Sequence, residues 1–193
     1  MNRSNRIFIP LVASLIVCVS CKNDDALIND TSPSFIMPLK VGNTWIRLVT
    51  SYDTAGTIVL SKYDTVRISS DTTIEGETWY NANGLVTNRS TGLWIRNGSQ
   101  NYLLAKYPAA VHDTYATIGN DTVTVLSKNA YIIVAGGKFT CYQYRISNGS
   151  TGTLESMLYL AVNKGLIKQT NYDTTNGSIY IRDVAELQKL VLY

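Results

Sequence analysis

From Thr44 to Arg182 the chain is a succession of short β-type runs, each closed within a few residues by a turn signal. Thr44–Thr50 precedes a turn near Asp53 and Gly56, and Thr57–Ser61 and Thr65–Ser70 follow. Thr72–Ile74 and Thr78–Tyr80 flank Glu75-Gly76-Glu77. Gly92–Arg96 and Gln100–Ala105 flank Asn97-Gly98, the strongest hairpin signal in the chain. Thr122–Leu126, Tyr131–Val134 and Lys138–Ser147 come next. Leu154–Ala161 and Leu166–Asn171 then flank Asn163-Lys164-Gly165, and Ser178–Arg182 follows Asn176-Gly177. Tight links join only antiparallel neighbours, because a parallel pair needs a long crossover. The expected fold is therefore all-β: a curved antiparallel sheet or incomplete barrel of about ten or more short strands. Val184–Leu192 has a spacing that allows a short helix, but a final strand is favoured.

Composition agrees with that pattern. Tyrosine outnumbers phenylalanine 13 to 3, and threonine recurs throughout. Both suit a pleated, half-buried surface.

The first residues have a different grammar. Arg3 and Arg6 precede an apolar run from Ile7 to Ser20 that is too short to span a bilayer. A basic start, a short apolar stretch and a small residue form a secretory signal. Its end, Cys18-Val19-Ser20-Cys21, resembles a lipobox, the site at which lipoprotein signal peptidase cuts before a cysteine. Cys18 stands where that family usually has leucine; Ser20 and the polar run Lys22-Asn23-Asp24-Asp25 fit. The resemblance implies cleavage before Cys21 and acylation of its sulfur, with thiolate as the nucleophile. The expected organisation is a signal peptide over 1–20, a lipidated flexible tether over 21–36 and a single β-rich domain over 37–193. The anchor would hold the chain to the outer membrane, on its periplasmic or its cell-surface side. Asp24-Asp25 resembles the acidic signal that sends such lipoproteins to the surface.

Removing residues 1–20 leaves 15 basic and 14 acidic residues, which gives no reason to expect a nucleic-acid partner. Cys141 then has no partner for an internal disulfide, and it reads as a small buried hydrophobe on a strand. The single histidine, His112, and the absence of H-x-x-x-H, C-x-x-C or a phosphate-binding glycine loop leave little for metal or nucleophilic chemistry. No catalytic residue, metal site or cofactor is expected, and the chain reads as a non-enzyme.

A weak internal repeat bears on His112. Pro38-Leu39-Lys40-Val41-Gly42-Asn43-Thr44-Trp45 echoes Pro108-Ala109-Ala110-Val111-His112-Asp113-Thr114-Tyr115. His112 occupies the place of Gly42, so it reads as a turn residue with positive φ rather than a general base. The repeat continues in an apolar-x-Gly turn in each copy, Ile74-Glu75-Gly76 and Val134-Ala135-Gly136. Between residues 53 and 174 six Asp-Thr pairs, at Asp53, Asp64, Asp71, Asp113, Asp121 and Asp173, lack calcium-loop spacing and read as turn closers. Trp45 and Trp79 are expected in the core. Trp94, beside the Asn97-Gly98 hairpin, is expected to be exposed and, with Tyr102, to face a ligand.

The elements Pro38–Trp45, Val134–Phe139 with Cys141, and Tyr159-Leu160-Ala161 with Lys164-Gly165-Leu166-Ile167-Lys168 resemble, in that order, a broad group of lipoproteins common in Bacteroidetes-type bacteria. Asn163 stands where the group usually has glycine. Some members are similar to periplasmic lipid-handling lipoprotein carriers. That resemblance implies a curved sheet with an apolar groove and no catalytic residues to carry over. The expected function is binding of an apolar ligand or an envelope partner protein. The alternative is a surface glycan-binding module that uses exposed Trp and Tyr side chains. A lipid-type binder needs a cavity of about 300 Å³ or more with mainly apolar walls.

Overall fold

In a computed structural model of the chain, residues 34–193 are described. The expected cleavage site, Cys21 and most of the expected tether lie outside them. Over residues 34–193 the fold is all-β, 67% strand, with two antiparallel sheets and almost no helix. One 3-10 turn, Ile118–Asn120, interrupts the strands.

The larger sheet contains β1 (Thr44–Tyr52), β2 (Ile58–Arg67), β8 (Thr114–Ala116), β9 (Thr122–Val134), β10 (Gly137–Ser147), β11 (Leu154–Ala161), β12 (Gly165–Thr175) and β13 (Ser178–Val191). Its strand order is β2-β1-β13-β12-β11-β10-β9-β8. The smaller sheet is a meander of β3 (Ser70–Ile74), β4 (Glu77–Asn81), β5 (Leu85–Arg89), β6 (Gly92–Asn97) and β7 (Gln100–Lys106). Every pairing is antiparallel. Only the β1–β13 pair joins strands distant in sequence, and it ties the start of the sheet to its end.

The tight turns follow the residue chemistry. Glu75-Gly76 and Asn176-Gly177 each link paired strands with both residues at positive φ, as a twisted two-residue hairpin demands. At the β6–β7 hairpin the turn residues are Gly98-Ser99, because Asn97 still pairs with Gln100. The turn lies one residue beyond the Asn97-Gly98 signal.

Several runs that look separate in sequence merge. Most of Thr57–Ser61 and the first half of Thr65–Ser70 become β2, which ends at Arg67, while Ser70 opens β3; Thr122–Leu126 and Tyr131–Val134 become β9; Ser178–Arg182 joins the ambiguous C-terminal stretch in β13. The polar residues between them stand at exposed or half-buried positions of continuous strands, where they cost little. The favoured reading of residues 184–192 as strand is what the fold shows up to Val191.

The larger sheet is bent and open. Register shifts mark bulges in the β1–β13, β9–β10, β10–β11, β11–β12 and β12–β13 pairs. Each bulge adds local twist. At the tip of the β9–β10 hairpin, Gly136 N–H donates to Leu187 C=O of β13 at 2.9 Å, three strands away in the sheet order. A side chain at Gly136 would press on that carbonyl, with Cβ at 3.0 Å.

The core fills the space between the sheets. Trp45, Val123, Tyr144, Leu160 and Leu187 come from the larger sheet, and Val86, Leu93 and Ala105 from the smaller. Ile36, Met37 and Ile68 plug it from connecting segments. Here the expected tether boundary moves. Phe35 exchanges hydrogen bonds with Asn163, Gly165 N–H donates to Ile36 C=O at 3.0 Å, and Ile36 is fully buried. Phe35 and Ile36 belong to the folded unit. Burial of an apolar side chain the size of Ile36 stabilises by about 1.5–3 kcal/mol, enough to recruit the segment.

The internal repeat has a structural counterpart. Gly42 and His112 both have positive φ, 99° and 72°. Gly42 N–H donates to Ile68 C=O, and Ile68 N–H returns a bond to Asn43 C=O. His112 N–H donates to Val125 C=O, and Val125 N–H returns one to Asp113 C=O; all four lie between 2.8 and 2.9 Å. Each turn feeds a strand near one end of the larger sheet, β1 or β8, and points an aromatic residue at the core, Trp45 or Tyr115. The later turns do not match. Glu75 and Gly76 are left-handed, whereas in the second copy Gly137 alone carries positive φ.

Candidate ligand cavity between the two sheets

β1 alternates in the ordinary way of a strand, so Trp45 and Arg47 share one face. Their direct partners on β2, Val66 and Asp64, share it too. That face looks toward the smaller sheet. Trp45 is 2% exposed, and its indole Nε1–H donates to Lys164 C=O at 2.6 Å. Gly165, at φ 83°, leaves room for it: a Cβ there would stand 3.2 Å from Trp45 Nε1 and 3.1 Å from Met37 Cγ. Asn163, where the resembled group has glycine, is itself left-handed at φ 57°. Asparagine tolerates that conformation better than most residues, so the departure keeps the turn.

Beside Trp45 the two sheets separate around a cavity of about 320 Å³. Its walls come from Val66, Leu158, Leu160 and Leu166 of the larger sheet and Val86, Leu93, Ile95 and Leu104 of the smaller. Twelve of its 15 lining residues are apolar. Exposed Asn83, in the β4–β5 turn, stands at its rim. Among the described residues its polar lining is Arg47, Asn83 and Gln169.

Arg47 is the unusual wall residue. Its side chain is 17% exposed and pairs through Nη2 with the Asp64 carboxylate, which is 35% exposed. Its Nε is buried without an acceptor. A buried donor left unmade costs about 1–3 kcal/mol. Sequence reasoning missed Arg47. Its only signal was a cation at the third position of the apolar run Trp45-Ile46-Arg47-Leu48, on the side of the strand that carries the tryptophan.

A larger hollow, about 490 Å³, lies at the other end of β11–β13, lined by Glu155, Ser156, Asn171, Asp173 and Arg182 among others. Its polar groups already satisfy one another: Ser156 Oγ–H donates to Asn171 Oδ1, and Asn171 Nδ2–H to Asp183 Oδ1. It offers few free donors.

The residues singled out for a ligand do not converge. Ile95 faces the cavity and stands directly opposite Tyr102, so Tyr102 lies on the inward side of the smaller sheet. Trp94, one residue before Ile95, points to the other side. The two cannot form one aromatic platform. Trp94 is half-buried under Arg89, whose Cζ sits 4.5 Å from the ring centroid, and its Nε1–H donates to Thr91 Oγ1 at 3.0 Å. Trp79 is 1% exposed, yet it lies outside the main core. The guanidinium groups of Arg89 and Arg96 cover its ring, and Glu77 holds Arg89 through two hydrogen bonds of 2.8 and 2.6 Å. Cation–π contact and stem packing explain burial on an outer face. The Arg89 guanidinium holds the Glu77 carboxyl below its ordinary range.

Other candidates take structural places. His112 carries the left-handed turn described above. Cys141 is fully buried, and desolvation pushes its thiol up to about 12, far from a reactive thiolate. Asp53 closes its turn by accepting from Ala55 and Thr57 N–H, and Asp113 by accepting from Ala110 N–H. Among the described residues no three His, Cys, Asp or Glu side chains gather as a metal site. Tyr144 and Tyr115 brace the two sheets. Tyr144 O–H donates to Lys106 C=O at 2.8 Å, and Tyr115 O accepts from Lys106 N–H at 3.0 Å. Burial raises both phenols above their usual range.

Comparison with protein-family models, with curated proteins and with solved structures finds no match to this chain.

Proposed function

We propose that this chain is a non-enzymatic lipoprotein of the cell envelope that holds an apolar ligand between its two β-sheets. The supporting observation is the cavity beside Trp45: about 320 Å³, mostly apolar, and walled by both sheets. That size falls within the range of small-molecule sites. Polar side chains tied up in turns and braces leave no converging acid, base and nucleophile among the described residues. The glycan reading is not carried forward, because Trp94 is covered by Arg89 and Tyr102 faces the other way.

Binding follows from burial. Each CH₂ removed from water contributes about 0.8 kcal/mol. A neutral fluorescent probe such as N-phenylnaphthylamine should bind saturably, with enhanced emission. Val66→Phe places extra bulk on an edge strand at the cavity wall and should weaken the probe about tenfold or more, while the melting temperature changes little. Unsaturable emission, or equal binding by the variant, would count against the proposal.

The anchor rests on the lipobox resemblance alone. Labelled palmitate should incorporate into the chain in its own envelope, and Cys21→Ala should abolish incorporation. Labelling that survives in Cys21→Ala would refute that assignment.

A further inference from the structure

We infer that Arg47 is the head-recognition residue of the cavity, and that the ligand is an acyl compound whose carboxyl or ester oxygen accepts a hydrogen bond from the Arg47 guanidinium. This inference rests on the proposal that the cavity holds an apolar ligand.

Three observations carry it. Arg47 lines a mostly apolar wall, on the same face of β1 as Trp45 and opposite Asp64 of β2. Asp64 engages only its Nη2, so the guanidinium, with five N–H donors, keeps donors to spare. The rest of the polar lining offers little competition: Gln169 Nε2–H is already given to Asn171 Oδ1 at 2.8 Å, and Asn83 stands exposed at the rim. A saturated hydrocarbon would fill the space but offer the Arg47 guanidinium no acceptor. An acyl chain fills it and supplies the missing acceptor at one end. Hydrogen bonds to a charged donor are among the stronger ones in proteins.

Asp64 bears on which acyl compound. It neutralises much of the guanidinium charge, so an uncharged ester is as acceptable as a free acid. An added carboxylate would meet some repulsion from Asp64. Free fatty acid and esterified lipid therefore present the same chemistry here, and the experiment separates them.

Decanoate, methyl decanoate and decane can each be titrated against the bound neutral probe, in wild type, Arg47→Met and Asp64→Asn. The ester is better solvated by water than the alkane, so without a partner in the cavity it should bind more weakly. The expected result is the reverse: at least one of the acyl ligands binds wild type about tenfold or more tightly than decane. Arg47→Met should remove that advantage while leaving decane's affinity in place. Asp64→Asn, which keeps Arg47, should shift the balance several-fold from ester toward free acid. If Arg47→Met does not fold, the wild-type ranking and Asp64→Asn still decide the matter. Equal affinity for all three ligands, or a uniform loss in Arg47→Met, overturns the head assignment but leaves the cavity standing. Failure of all three to displace the probe overturns the head assignment as well, and failure of the probe itself to bind removes the cavity reading.

Discussion

Trp45→Ala should destabilise the fold by about 3–5 kcal/mol, the usual cost of deleting a large buried aromatic. The ring is almost fully buried, its Nε1–H satisfies Lys164 C=O, and it rests against the Gly165 backbone that opens β12. Its loss would enlarge a cavity already present, so little collapse can offset it. Urea denaturation checks this: the midpoint should fall sharply at nearly constant slope. Trp94→Ala, on the outer face under Arg89, should cost about 1–2 kcal/mol. If the two substitutions cost the same, Trp45 does not hold the place in the core described above.

Gly92→Ala should be at least as damaging. Gly92 opens β6 at φ 135°, opposite Lys106 of β7. An added Cβ would lie 2.1 Å from Ala105 C=O, 2.8 Å from Tyr107 N and 2.9 Å from Lys106 Cα. All three are backbone atoms and cannot rotate away, so β6 and β7 would have to part. The position is also one that L side chains rarely adopt. The expected loss is about 4 kcal/mol or more, in the exceptional class for a single methyl group. Gly76→Ala is the control. Its φ is 80°, but nothing lies within 4 Å of the new Cβ, so only the left-handed conformation costs, about 1–2 kcal/mol. Thermal unfolding of the pair separates the steric from the conformational contribution. Equal shifts would mean that β6 and β7 are not so close.

The antiparallel class was legible because turn chemistry is local. Asn176-Gly177 and Glu75-Gly76 need no distant contact to reverse the chain. The role of His112 was legible for the same reason, through its alignment with Gly42. What local pattern could not supply was the partition into two sheets. The crossing after β2 has no special residue signature, the repeat turn after β7 does not say which sheet it enters, and the decision lies in long-range packing such as Tyr144 to Lys106. Arg47 was hidden likewise. Residues 45–49 offer apolar side chains to both faces, so alternation alone does not say which face is inside. Its pairing with Asp64 is visible only once β1 and β2 are in register. The Trp94–Tyr102 pair is different. Any two-residue turn near Gly98 places positions 94 and 102 on opposite faces, because register in a hairpin has fixed parity. That was readable from the hairpin signal itself.

A ligand held between the sheets would lie against Trp45. The chain has three tryptophans, hence three indole N–H signals in a nitrogen-15 correlation spectrum. A decanoyl ligand carrying a nitroxide should broaden the Trp45 signal saturably and at lower ligand concentration than that of Trp94, on the far face of the smaller sheet. A Trp45 signal that stays sharp at saturating ligand, or a Trp94 signal that broadens first, would contradict it.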